Sequence, residues 1–127
     1  MKVIQGRADQ GDSEQRTATF TGEVWGDPVM ATTDGVTIND VFFAPGARTH
    51  WHTHERGQLL FVLAGRGRVF AEGGEVQTIR AGDTVWIAPD ERHWHGADAT
   101  SYMIHRAVSL GGHDWQDPVS DEEYARG

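Results

Sequence analysis

An all-β fold, with short strands closed into a sandwich or barrel, is what this 127-residue chain predicts, on three observations. Sixteen glycines and a 38% hydrophobic fraction suit a turn-rich chain better than a helical bundle. From Val36 onward, apolar or alternating runs recur between turn residues, at the spacing of short strands. The length closes one core rather than two, so a single domain is expected over 1–127. It divides into an N-terminal arm (about 1–35), a barrel core (about 36–108) and a tail (109–127).

The elements follow in order. The arm is polar, with a short strand around Phe20–Trp25 and a turn at Gly26-Asp27-Pro28. "VTINDVFFAPG" is a strand ending at Pro45-Gly46. "GQLLFVLAGRG" holds six consecutive apolar residues, Leu59–Ala64, and reads as a strand buried on both faces. "RVFAEGGEVQTI" is a hairpin with Gly73-Gly74 as its tight two-residue turn. "AGDTVWIAPDERHWHGA" is a strand, a Pro-Asp turn and a second strand from about His93; "SYMIHRAVSL" is another strand. In the tail, Ser120 caps a short helix that opens with acids.

Composition excludes several function classes. Net charge is −8 and the basic residues are scattered, which argues against nucleic acid or an anionic membrane as partner. The first ten residues lack an apolar run, and six is the longest anywhere, so neither a signal peptide nor a membrane span is expected. Without cysteine there is no disulfide framework, no thiol nucleophile and no thiolate ligand, and the default compartment is the cytoplasm. Lys2, the only lysine, sits at the terminus, away from any plausible Schiff-base site. None of the four serines has a nucleophile-elbow context, and "GRGRVF" lacks the third glycine of a dinucleotide fingerprint. Histidine, glutamine and carboxylate remain for chemistry.

Histidine is concentrated. In "RTHWHTHERGQ", His50, His52 and His54 alternate, so a strand would put them on one face. His93 and His95 do the same, with Trp94 facing the other way, and His105 follows in register with Met103 and Ala107. His113, in the polar tail, reads as a surface residue. One strand histidine, or one H-x-H pair, is ordinarily a packed or solvated side chain. Two H-x-H pairs and a third histidine strand with inward parity are different, because burying them without a common partner strands polar nitrogens. A divalent metal satisfies those nitrogens, and histidine is its commonest ligand.

The segment from Gly46 through His52-x-His54 to Gly65 resembles the first cupin motif, and "GDTVWIAPDERHWH", with Gly82 and His93, resembles the second. The resemblance spans about residues 36–108 and implies a cupin (double-stranded β-helix, or jelly-roll) barrel. It implies one divalent metal held by His52, His54, Gln58 and His93, with His50 outside the ligand set. Most metal-binding cupins have glutamate at position 58. A neutral amide there leaves the metal its full charge, a stronger Lewis acid and a better binder of anions. Ala88 and Asp90 replace the proline and glycine usual in the second-motif turn, which puts the loop shape in question.

"WHTH", Gln58, "VWIAPDERHWHGA" and "MIHRAV" narrow the resemblance to small bacterial cupins that accompany carboxymuconolactone decarboxylase-like proteins. A subset of these are manganese-dependent hydroxynitrile lyases, which make or cleave cyanohydrins. The likeness implies Mn²⁺, with Fe²⁺, Zn²⁺ and Ni²⁺ as alternatives, and a homodimer; His95 and His105 match two histidines beside the metal. The leading expectation is metal-assisted proton transfer on a small hydroxy or carbonyl compound, with His95 and His105 as base and acid. Parity puts Asn39, Val41, Phe43, Leu60 and Val62 on the cavity side; for Val41, Leu60 and Val62, ordinary barrel core is an equal reading. The same parity turns Leu59, Phe61 and Leu63 outward, where the N-terminal segment or a second subunit must cover them. An iron-dependent dioxygenase and a non-catalytic sugar- or small-molecule-binding module are the rival functions.

Overall fold

The computed structural model describes residues 1–6 and 11–126. Its strands are β1 (Glu14–Gln15), β2 (Phe20–Thr21), β3 (Val24–Thr33), β4 (Val36–Phe43), β5 (Arg48–Thr49), β6 (His52–His54) and β7 (Gln58–Ala71). β8 (Gln77–Arg80), β9 (Thr84–Ile87), β10 (His93–Ala97), β11 (Met103–Leu110), β12 (His113–Trp115) and the helix α1 (Asp121–Ala125) complete it. This is the all-β curled sheet that the sequence predicts, with a single short helix near the C-terminus among the described residues.

The long strand β7 joins the two halves. Its first part pairs with β11 and β9, in a sheet that continues through β4 and β3 to β1. Its second part pairs with β10 and β8, and β10 carries β5–β2 and β6–β12 on its other side. The strand changes sheets around Gly65, which has φ +76°; a Cβ there would collide with the backbone oxygen of Tyr102. Only glycine meets both demands at this bend.

Inside the curl, Val24, Val41, Phe43, Val62, Val69 and Met103 form the main core. A second cluster lies outside β10: Trp94 packs with Trp51, Val119 and Tyr124, the last brought there by α1. Ser120 caps α1 as expected, its Oγ accepting from Glu123 N while its own N–H donates to Glu123 Oε1. The Tyr124 hydroxyl donates to Ala97 O at 2.7 Å, fastening the helix behind the histidine strand.

Three local expectations are corrected. Gly26-Asp27-Pro28 is no turn but part of β3, with an irregularity of register just after Pro28. Proline is tolerated there because β1 pairs only with Trp25 and Gly26, so Pro28 lies beyond it at the sheet edge. The β7–β8 hairpin is not closed by a two-residue turn. Val69 pairs with Gln77, and Gly74 N bonds to Ala71 O around Gly73, the one glycine of the pair with positive φ (+85°). Nor is β7 buried on both faces, since Phe61 is 36% and Leu63 50% exposed. Here the apolar run reports one core face and one uncovered outer face.

Candidate metal centre

β6 supplies His52 and His54, β10 supplies His93 and His95, and β11 supplies His105. β6 and β10 pair with His93 directly opposite His52, so the two rings sit 4.1 Å apart. His54 lies 5.0 Å from the His52 ring and 5.5 Å from that of His93. All five rings and Gln58, which opens β7, are at most 4% exposed. The inward parity of the two H-x-H pairs and of His105 is thus realised, with Trp94 on the opposite face. His50 stands apart. It is half-buried, and its carbonyl rather than its ring meets the cluster.

Backbone carbonyls orient the rings. His52 Nδ1 lies 2.9 Å from His50 O, and His93 Nδ1 lies 2.8 Å from Glu91 O. A carbonyl only accepts, so each Nδ1 carries the proton and each Nε2 presents a lone pair. Gln58 Nε2 donates to Ser109 Oγ at 3.0 Å, which turns Oε1 to 3.4 Å from His93 Nε2. Two acceptors therefore face each other with no hydrogen between them. Both nitrogens of His54 and Nε2 of His95 are buried without a hydrogen-bond partner. Each neutral ring has one acceptor nitrogen, and a buried acceptor is costly unless something positive satisfies it.

Ring nitrogens of His52, His93 and His95 lie within 4.8 Å of one another, so three histidines here could hold a metal ion. Neutral imidazoles and an amide oxygen suit a first-row divalent ion, and the orphaned acceptors are what such an ion would satisfy. Burial also keeps the imidazoles in the ligating form. Desolvation, then repulsion by His93, holds His52 well below 6.5, and the same causes lower His54 to about 4. Desolvation likewise lowers His93 and takes His105 down to about 4. His95, repelled also by His105 and His52, lies well below 6.5. Near neutral pH all five are uncharged, and no proton need be displaced before a metal binds.

His105 Nε2 is 3.0 Å from His95 Nδ1, a hydrogen bond sealed in the interior. His95 is further set by its backbone N–H, which donates to Thr49 Oγ1. Phe43 packs against both rings, at 5.1 Å from His105 and 6.1 Å from His95.

These groups border a cavity of about 900 Å³, lined by His52, His54, Gln58, His95 and His105, with His93 wholly buried behind them. Of the expected pocket residues, Asn39, Val41 and Phe43 line it. Leu60 and Val62 do not. Their inward parity holds, but Leu60 is sealed against Ile87 and Ala107 and Val62 lies in the main core, the alternative reading of both. Asp90 takes φ +58°, the conformation glycine favours, and its N–H bonds to His54 O. Aspartate tolerates this region better than most residues, so the turn forms here without a glycine.

Sequence reasoning missed several neighbours. Trp115 stacks on His52 at 4.3 Å, and His113, although exposed as expected, lines the cavity opposite His54. Phe20 and residues 15–19 close another wall, and no pattern in the polar arm announces them. Ser109 was within reach, because it continues the inward row Met103, His105, Ala107.

Residues 39–104 match the Cupin domain family. The chain is 48% identical over 113 residues to the (R)-mandelonitrile lyase of Granulicella tundricola, covering 84% of this chain and 86% of that protein. Among solved structures, a cupin-like protein from Thermotoga maritima superposes with a TM-score of 0.82 at 35% identity, covering 97% of this chain and 95% of that one. A polyketide cyclase from Streptomyces resistomycificus shares the fold at 18% identity, with a TM-score of 0.75 over 98% of this chain and 91% of its own. With both motifs in place on the curled sheet, the chain belongs to the cupin domain family.

Proposed function

We propose that this protein is a metal-dependent hydroxynitrile lyase, which splits a cyanohydrin into a carbonyl compound and hydrogen cyanide and runs the reverse addition. The observation that carries the reading is the convergence of unpartnered acceptors, His93 Nε2 against Gln58 Oε1 and the acceptor nitrogen of the bare His54 ring, beside a cavity of about 900 Å³. Similarity to an (R)-mandelonitrile lyase, at 48% identity, supports the substrate class. His52, His54, Gln58 and His93 hold the ion, Mn²⁺ first and Fe²⁺ second, with Zn²⁺ or Ni²⁺ captured where they compete. When bound, a divalent ion here supplies positive charge for the substrate oxygen or the departing cyanide.

The chain's own residues manage the proton. His95 Nε2, neutral and without a partner, accepts the hydroxyl proton of the cyanohydrin as the C–CN bond breaks. The hydroxyl's bonding pair becomes the carbonyl π bond, and the C–C pair leaves on cyanide. His105 Nε2, at 3.0 Å from His95 Nδ1, shares the resulting charge, and the imidazolium returns the proton to cyanide. No electron is gained or lost overall. Phe43 and Val41 exclude water, and Asn39 offers an amide to the substrate.

We propose further that the protein works as a homodimer in the cytoplasm, on a small-molecule substrate without nucleic acid or membrane. No helix among the described residues is long and apolar enough to cross a membrane. The function is tested by assaying mandelonitrile cleavage without oxygen, using protein of measured metal content. Release of benzaldehyde and cyanide supports the lyase. Turnover of substrates only when oxygen is admitted contradicts it.

A further inference from the structure

We infer that Ser109 is a positioning residue that decides which end of the Gln58 amide faces the metal site; the inference rests on the metal reading above. Ser109 on β11 lies directly opposite Gln58 on β7, in a row of inward-facing side chains. Its Oγ takes the hydrogen bond from Gln58 Nε2 at 3.0 Å. Among the described residues this is the only side-chain hydrogen bond made by either Ser109 or the Gln58 amide nitrogen.

The amide has two settings in this pocket. In one, the oxygen faces His93 Nε2 and the NH₂ group needs an acceptor on the opposite side. In the other, the NH₂ donates to His93 Nε2 and occupies the lone pair that a metal requires. Gln58 is 4% exposed, and an NH₂ group left without an acceptor there is costly. The neighbouring inward residue on β11, Ala107, offers no side-chain acceptor, and Thr37 Oγ1 makes its hydrogen bond with Thr32 Oγ1 at 2.6 Å rather than with Gln58. Among the described residues it is Ser109 Oγ that completes the setting in which Gln58 is a ligand. A glutamate at 58 would have no NH₂ group to satisfy, so the need for an acceptor at 109 is specific to the amide.

The test uses two variants of equal shape, Ser109→Thr, which keeps the hydroxyl, and Ser109→Val, which does not. Each is titrated with Mn²⁺ alone against a competing chelator, with no substrate present. Ser109→Thr should bind within about 3-fold of wild type, and Ser109→Val about 10- to 100-fold more weakly, the range for losing a partner that orients a ligand. In a Gln58→Ala background the same Thr and Val variants should differ by less than about 2-fold, because the residue acts through Gln58. Equal affinities for Thr and Val in the Gln58 protein overturn the inference, as does an equally large difference in the Gln58→Ala background. Wild-type protein that binds no Mn²⁺ overturns the metal reading together with this inference. Wild-type binding with no Thr–Val difference overturns this inference alone.

Discussion

His105 hands its Nε2 to His95 Nδ1 at 3.0 Å, and the outer nitrogen of each ring, His105 Nδ1 and His95 Nε2, is buried without a partner. A single hydrogen bond between two neutral imidazoles can be made in either tautomeric sense, so a proton taken up at one outer nitrogen can shift the bridging proton and release another from the opposite outer nitrogen. That is the property a proton-transfer pair needs. Replacing either residue with alanine should lower turnover of mandelonitrile by about 10²-fold or more. Metal content should remain at the wild-type level in both variants. Full activity in both removes the acid–base assignment, and loss of metal in His95→Ala alone moves that residue into the ligand set alongside His52 and His93.

Gln58 supplies a neutral oxygen 3.4 Å from His93 Nε2. Gln58→Glu brings a negative charge to the same place. Binding of Mn²⁺ should tighten, while cyanohydrin cleavage should fall, because the added carboxylate neutralises charge that the substrate oxygen or cyanide would otherwise meet. Chelator competition and an activity assay on the same sample check both halves. Parallel gains in binding and turnover contradict the charge argument.

Much of this site was legible because a strand's period of two is rigid. Once His52, His93 and His105 are known to face inward, His54 and His95 have no freedom to do otherwise, and neither has Gln58, which pairs with Ser109 in the inward row of His105. Parity cannot say how deep an inward residue lies. Leu60 and Val62 share the phase of Gln58, yet the cavity ends above them where Ile87 and Met103 fill the interior. Long-range closure was equally silent in the sequence. Trp115 meets His52 only because β12 returns to pair with β6, sixty residues after it in the chain's second half, and the polar arm around Phe20 has no pattern that fixes its position. The strand through Pro28 is not legible locally, because an edge position, where the missing N–H costs nothing, is a tertiary fact.

The outer face of β7 predicts an assembly. Phe61 and Leu63 are 36% and 50% exposed, and Trp86 (55%) lies across from Leu59 on β9. Tyr102, 44% exposed, stacks on Phe42 at 6.0 Å beside them. No described residue covers this apolar surface. Light scattering should give twice the 14.0 kDa chain mass, and Leu63→Glu should halve it. A wild-type monomer at micromolar concentration contradicts the dimer.

Asp98 ties the strand ends together away from the cavity. Its Oδ2 accepts from Arg66 Nη2 at 2.8 Å and Thr100 Oγ1 at 2.9 Å, and its Oδ1 accepts from Arg68 Nε at 3.2 Å. The Arg66 hydrogen bond, foremost among these, holds the carboxyl well below the usual carboxylate range. A carboxyl with a depressed folded pKa stabilises the protein above its unfolded pKa of about 4, and that stability is lost as pH falls through the folded value. Asp98→Asn should therefore cost about 1–2 kcal/mol at pH 7, the lower end favoured because Arg66 is 40% exposed and screened. Denaturant titrations of both proteins should show the gap narrowing below about pH 4. A gap that stays constant as the pH falls contradicts the assignment.

The most direct test strips the protein of metal, restores Mn²⁺ in steps, and follows mandelonitrile cleavage without oxygen in the same samples. Activity is expected to rise in proportion to bound metal and to level off at one ion per chain, with His52→Ala neither binding nor turning over. Cleavage by metal-free protein at the restored rate would contradict the account, as would a fully loaded site that leaves the cyanohydrin intact.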